Sequence, residues 1–494
     1  MQTFSMKRWF RKYHKWVGLV LTPFIILFCV SGIILNHRQA FSSYDISRAW
    51  MPENYAFHNY NNGIIRGVIT THQGNIFAYG IAGVWKTDSC FSHFTEYNHG
   101  FPKGVDNRRI LNMTETTDHH LWCVTPYAVY QMDNSGKWLL AYESHTELED
   151  MTTRGDSLLI LSRSEVLISR PPYQHFMPHA LLPPNKHSVR KVNILSMVRK
   201  LHSGELFGLG GRLFMDLMAV VMIILCITGI IFTVLKSSIR HSSPRHIARK
   251  ARQMKVDLAW HNRLGRYLIL FLLWITVTGI CLRAPMSTML KKVNLSNLSS
   301  GVIRNPYQDQ LRGIRWDPLT SQWLLMTTKK IYHMKDLDSP PQAFPHQPKM
   351  SSMGITVFQR MDHTWLIGSL SGLYQFNTMT GEVKGYPLPS IHHAQVSKGP
   401  SIVGFCRLRH HSFIFEKRSG VHPRLPKMPE TLKRQPISLW NVAVEIHTGR
   451  IFAAFLKKAV SGYVPVCGLL LVILLITGWI VGKRKKVTHG WHHH

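Results

Sequence analysis

VGLVLTPFIILFCVSGIIL, residues 17–35, runs for nineteen residues without a charge. At about 1.5 Å per residue, a helix of that length reaches roughly 28 Å, close to the thickness of a bilayer core. Three further blocks share its character. They are Leu213–Leu235, with Asp216 near its start, the sixteen residues Tyr267–Leu282, and the nineteen uncharged residues Val464–Gly482. The sixteen-residue block needs its flanks to cross. Four helical spans is the economical count, and the chain reads as a membrane protein. A cleaved signal peptide is the alternative for the first block. No small-residue cleavage pattern follows Gly32, however, and three more spans need the same lipid setting.

The 494 residues hold 59 Lys and Arg against 26 Asp and Glu, a formal charge of +33. Basic residues gather beside the apolar blocks: Lys7, Arg8, Arg11, Lys12 and Lys15 before the first, and Arg240, Arg245, Arg249, Lys250, Arg252 and Lys255 between the second and third. Lys483, Arg484, Lys485 and Lys486 follow the fourth. Such clusters mark the cytoplasmic face, which predicts that both termini and the middle loop are cytoplasmic. They flank spans, so they read as topology signals rather than a nucleic-acid surface. The expected order is a cytoplasmic N-terminus and first span (1–37), an extracytoplasmic β-rich part (38–200), and the second and third spans with their loop (201–283). A second β-rich part (284–445) and the fourth span with a cytoplasmic tail (446–494) complete it.

Both long insertions alternate short apolar runs with polar turns. The pairs Ile76–Tyr79 with Val84–Lys86, Leu121–Val124 with Val129–Met132 and Ser157–Leu161 with Val166–Ser169 read as hairpins. In the second insertion, Trp323–Met326 with Ile331–Met334 and Thr364–Ile367 with Leu373–Phe376 repeat the pattern. The fold class is therefore mixed: a four-helix transmembrane bundle with a β-rich, propeller-like extracytoplasmic region. One β unit built from both insertions and two separate domains fit alike, and an irregular β-rich domain is the plainer alternative.

Of the seven cysteines, Cys29, Cys226, Cys281 and Cys467 lie in the spans, leaving Cys90, Cys123 and Cys406. One long-range disulfide among these three is an option in an oxidising compartment. No pair has CxxC spacing, so neither a thiol redox motif nor a covalent c-type haem is supported.

The membrane part carries two repeats. His14-Lys15-Trp16-Val17-Gly18-Leu19 enters the first span and His261-Asn262-Arg263-Leu264-Gly265-Arg266 precedes the third; eighteen residues separate His14 from Gly32 and His261 from Gly279. Leu201-His202-Ser203-Gly204-Glu205 corresponds to Ile446-His447-Thr448-Gly449-Arg450, and Ile227-Thr228-Gly229 to Ile476-Thr477-Gly478. A neutral imidazole is a good iron ligand that avoids the desolvation cost of a buried charge. His14 with His261 is expected to hold the iron of an inner haem, and His202 with His447 that of an outer one. Pairing within repeats is the other arrangement. His37, His241, His246 and His489 are rival ligands, and Arg212 and Arg283 are candidate propionate contacts, with Arg450 less secure. The competing reading has interfacial histidines binding headgroups or capping helices, arginines as interfacial anchors, and Gly32, Gly229, Gly279 and Gly478 serving helix packing. Asp216 fits a buried polar site or the headgroup region. Two non-covalent b-type haems with histidine axial ligands would suit electron transfer rather than oxygen chemistry.

These phrases resemble the PepSY-associated transmembrane family, which includes iron-regulated inner-membrane proteins and ferric-siderophore reductases. The resemblance covers the spans and their flanks. It implies a bacterial inner-membrane protein that binds two haems and passes electrons to a periplasmic ferric siderophore or other iron chelate. No siderophore ligand or catalytic residue follows from it. There is no Gly-rich phosphate loop in a strand-to-helix context, so a separate cytoplasmic flavoprotein or a quinone would be the electron donor. The rival function is a haem-free membrane sensor or assembly factor whose β domain binds a protein or peptide. A single candidate acid within four spans makes an ion-coupled transporter the weakest class.

Overall fold

The computed structural model describes residues 2–184, 191–241, 243–296, 305–351, 354–388, 400–408 and 411–482. His489, the basic run Lys483–Lys486 and the terminal histidines lie outside the described residues. The chain divides into two compact units: a helical unit of residues 1–41, 191–299 and 440–494, and a β unit of residues 42–190 and 300–439. Strands from both insertions thus belong to one unit.

In the helical unit, α1 (Gln2–Asn36) continues through the first apolar block into the basic N-terminal segment. The second block lies in α3 (Gly208–Ile239), which is preceded by the short helix α2 (Ile194–Ser203). The fourth lies in α7 (Val460–Gly482), preceded by α6 (Leu439–His447). These short helices end where the sequence requires it: Gly204 and Gly449 follow the last turns at φ +77° and +73°, left-handed conformations that a side chain disfavours. His202 and His447 therefore sit on separate helices, not on the spans they precede. The third block differs from a single straight span. The polar helix α4 (Pro244–Tyr267) meets the apolar helix α5 (Ile269–Cys281) at a 65° bend, with Leu268 at φ −101°, ψ 6°. Among the described residues, three helices are long and apolar enough to cross a membrane, and the bent pair makes a fourth if it counts as one span. Met218, Met222, Leu225 and Leu272 pack with Leu21, Ile25 and Leu474 in the bundle core.

Among the described residues, the β unit contains six antiparallel sheets of consecutive strands: I (67–96), II (112–143), III (148–179), IV (311–343), V (357–385) and VI (402–422). All but the last have four strands. The five hairpins read from sequence are the second and third strands of sheets I to V, with registers such as Trp323 opposite Met334 and Trp365 opposite Phe376. Successive side chains leave a strand on opposite faces, and here both faces of a sheet are buried. Trp365 and Ile367 pack with Leu324 of sheet IV, whereas Leu366 between them packs with Phe405 of sheet VI. Further apolar clusters join I to II, II to III and III to IV, and Trp85 and Ala78 of sheet I pack with Cys406 and Phe415 of sheet VI. Asp45–Ile46 pairs antiparallel with Ile437–Ser438, where the chain enters and leaves the unit.

The second strand of sheet I and the first strands of sheets II, III and IV share a polar network. Tyr79 donates to Asn112 (2.9 Å), Asn112 donates to Asp150 (2.9 Å), and Arg315 donates twice to Asp150 (2.5 and 3.0 Å). Asp150 is buried, so these donors replace the water its carboxylate loses on folding. Replacing Asp150 by Ala would strand the Arg315 guanidinium and is expected to destabilise the β unit by about 3–5 kcal/mol, measured as a lowered unfolding midpoint by tryptophan fluorescence.

All seven cysteines are free, so the disulfide considered from sequence is not formed. Cys123 and Cys406 lie in different apolar clusters, and burial pushes both thiols well up from their ordinary range. Cys90 is exposed. Of the β unit's three thiols, a thiol reagent should modify Cys90 in the native protein and reach Cys123 and Cys406 only on unfolding, as peptide mass mapping would show.

Candidate functional site in the helical unit

Each of the four repeated histidines lies against a small hydroxyl residue and a glycine on a different helix. His14 of α1 lies beside Thr477-Gly478 of α7, and its Nδ1 is 3.1 Å from the Leu474 carbonyl oxygen. His447 of α6 lies beside Ser31-Gly32 of α1, with Nδ1 3.0 Å from the Phe28 carbonyl oxygen. His202 of α2 lies against Thr278-Gly279 of α5, with Nδ1 3.0 Å from the Thr278 hydroxyl. His261 of α4 lies against Thr228-Gly229 of α3, with Nδ1 2.9 Å from the Thr228 hydroxyl.

These bonds fix the tautomer. A carbonyl oxygen only accepts, so Nδ1 of His14 and of His447 carries the proton and donates it. The hydroxyls of Thr228 and Thr278 already donate to the carbonyls of Ile224 (2.8 Å) and Trp274 (2.7 Å), so toward the imidazoles they act as acceptors. In all four rings Nε2 is left as the unprotonated nitrogen. An anchored Nδ1–H with a free Nε2 lone pair is the usual state of a metal-ligating histidine.

The four rings form two pairs. His14 and His261 have ring centroids 6.1 Å apart, and His202 and His447 have centroids 6.0 Å apart. Two imidazoles sharing one metal between them need about 2 Å for each nitrogen–metal bond plus about 1 Å from each nitrogen to its ring centre, a total of about 6 Å. A cavity of about 900 Å³ opens beside the first pair, lined by His14, His261, Leu225, Leu474 and the two glycines Gly229 and Gly478. Arg11, Lys15, Lys236 and Arg266 also line it. Its size and apolar walls suit a cofactor-sized group, and its cations suit carboxylates on that group. The residues present therefore fit haem at the first pair.

The rival residues are placed differently. His37 is engaged by Asp216, which its Nε2 approaches to 2.6 Å, and Asp216 also accepts from Asn36 at 2.8 Å. Asp216 is thus a partnered polar site joining α3 to the end of α1. His241 and His246 are exposed, and each contacts its own turn through Ser237 or Ser243. Arg212 is exposed on α3. Arg283 lies within electrostatic reach of both His202 and His447, and Arg450 is paired with Glu445 at 2.6 Å.

Sequence reasoning singled out the histidines and the glycines but not the relation between them. Gly32 and Gly279 each follow a histidine by eighteen residues, yet each receives the imidazole of another helix. The available signal was the hydroxyl residue before every one of the four glycines.

Residues 126–485 match the family described as the PepSY-associated TM region. The match includes His202, His261 and His447 and begins after His14. No curated protein matches the chain significantly. Among solved structures, the extracellular domain of a B. thetaiotaomicron hybrid two component system is 9% identical with a TM-score of 0.37, covering 74% of this chain and 39% of its own. PorZ, a surface component of the type-IX secretion system of Porphyromonas gingivalis, is 7% identical with a TM-score of 0.30, covering 76% and 39%. The chain thus spans about two fifths of each of those proteins. The N-terminal domain of Nup159 is 9% identical with a TM-score of 0.31, covering 76% and 93%. At these scores the likenesses carry no functional argument.

The glycines differ in how much room they leave. A Cβ at Gly478 would lie 2.8 Å from His14 Cε1, whereas at Gly229 the nearest neighbouring atom would be His261 Cε1 at 3.8 Å. Gly229→Ala should raise the thermal midpoint in detergent through the alanine preference of about 0.5–1 kcal/mol, and Gly478→Ala should lower it by displacing the pinned imidazole.

Proposed function

We propose a haem-mediated electron-transfer function for this chain, which belongs to the PepSY-associated transmembrane family. The observation that carries the reading is the pair of imidazole couples, each about 6 Å across and each anchored through Nδ1. His14 with His261 would hold one haem and His202 with His447 a second. When bound, haem supplies a one-electron ferric–ferrous couple. The chain's own part would be to present two imidazole nitrogens to each haem and to keep each ring in one orientation. The backbone carbonyls of Leu474 and Phe28 and the hydroxyls of Thr228 and Thr278 do the orienting. Arg11, Lys15 and Arg266 would face carboxylates of the first group, and Arg283 is the cation placed for the second.

In this reading the basic segments mark the cytoplasmic face of a bacterial inner membrane and the β unit is periplasmic. The ordered cores between successive sheets, and between VI and I, support a six-bladed propeller. A cytoplasmic flavoprotein or a quinone would supply electrons, and a ferric siderophore or other iron chelate would accept them, each electron converting one ferric ion to ferrous.

A second reading keeps the β unit as a ligand-binding module without haem, acting as a sensor or assembly factor. A polar cavity of about 300 Å³ in that unit, lined by Arg66, Arg312 and Arg315 with Glu149 and Asp150, favours it. Haem content separates the two. Protein made with ample haem should show a reduced-minus-oxidised spectrum of bis-histidine haem, with His14→Ala and His202→Ala each removing a different centre and His241→Ala removing none. Haem-free protein under those conditions would leave the binding module as the function.

A further inference from the structure

Two hairpin turns of the β unit bring three metal-binding side chains together. His72 lies in the turn between the first two strands of sheet I, while Glu115 ends the first strand of sheet II and His119 lies in the turn that follows it. One ligand atom from each lies within 4.8 Å of the other two. His72 Nδ1 is 2.6 Å from Glu115 Oε1, the His72 backbone N–H donates to Glu115 Oε2 at 3.0 Å, and the two imidazoles stack with centroids 3.7 Å apart.

Both turns are held from below. Thr71 N–H donates to the Asn75 carbonyl (2.9 Å), and Thr116 N–H donates to the His120 carbonyl (3.0 Å). The Thr116 hydroxyl also accepts from the indole of Trp122, which is fully buried. His119 adopts φ +63°, a left-handed conformation uncommon for a residue with a side chain. Held backbones and a left-handed histidine put two imidazoles and a carboxylate at one point without help from any other part of the chain.

We propose that His72, Glu115 and His119 form a binding site for a divalent first-row transition metal ion. Two imidazoles and one carboxylate match the borderline donor preference of Zn²⁺, Ni²⁺ and Fe²⁺, and this donor set with open positions is a recurrent one for such ions. Ligand atoms about 2.1 Å from a tetrahedral ion stand about 3.4 Å apart. The present separations run from 2.6 Å to at most 4.8 Å, and side-chain rotations can bring them to that spacing, since His72 and His119 are both exposed. The solvent side leaves room for water or an exogenous ligand. A surface hydrogen-bond cluster is the simpler account of the His72–Glu115 contact, but it gives His119 no role. The site is independent of the haem reading.

The test is calorimetric titration of the full-length, detergent-purified protein with Zn²⁺ alone, comparing wild type with His72→Gln and His119→Asn; Asn tolerates the left-handed backbone. Other histidines will also bind zinc, so the readout is the difference between variants. Each variant should lose the same single tight equivalent, and Glu115→Gln should weaken it at least tenfold. Unchanged stoichiometry and affinity in either histidine variant would overturn the proposal. X-ray absorption on wild-type protein carrying one zinc equivalent gives a check that needs no variant: two imidazoles with oxygen donors support the site, and any other nitrogen count rejects it.

Discussion

An imidazole placed among apolar helices must find an acceptor for its N–H, and the helical unit is organised around four solutions to that problem. Each solution uses the carbonyl or hydroxyl that a neighbouring helix offers one turn before or beside a glycine, where a missing Cβ lets the ring approach. The partners are reciprocal. α1 presents His14 to α7 and receives His447 from α6, just before α7. α4 presents His261 to α3, while α5, its continuation, receives His202 from α2. The helical unit thus consists of two interlocked halves, and both imidazole pairs are made across them.

The β unit meets a related requirement by different means. Its sheets bury both faces, so almost every residue of a middle strand such as Ser157–Ser162 is withdrawn from water. A polar network links the first strands of sheets II, III and IV, where Asn112, Asp150 and Arg315 satisfy one another. Two neighbouring sheets thus contribute donors to one buried carboxylate.

How much was legible in the sequence follows from these constraints. Middle strands could be read because burial on both faces leaves continuous apolar runs, and spans because their outward faces are as apolar as their packed ones. The fourth strands could not: Phe94–Glu96 and Val383–Gly385 are short and largely exposed. Sheet VI escaped notice because its second strand opens on the polar pair His411-Ser412 and its third strand, Gly420–His422, has only three residues. The bend at Leu268 has no glycine or proline at the break to announce it. The histidine repeats were visible as words, but which helix each ring leans on is a tertiary fact. His72 and Glu115 are forty-three residues apart and join only because two turns are adjacent.

Eighteen residues are five full α-helical turns, so on α1 the donor ring at one end and the receiving glycine at the other share a single face. Evolution cannot add or remove one residue between them without swinging one end through about 100°. Length variation must therefore collect where the helix is already interrupted. The other two repeats show this: twenty-seven residues separate His202 from Gly229, but thirty-one separate His447 from Gly478. The surplus falls where the chain passes through the broken turns Arg450–Phe452, Ala453–Leu456 and Lys457–Ala459 before α7 begins. That stretch acts as an expansion joint, taking up the four-residue difference between the two copies.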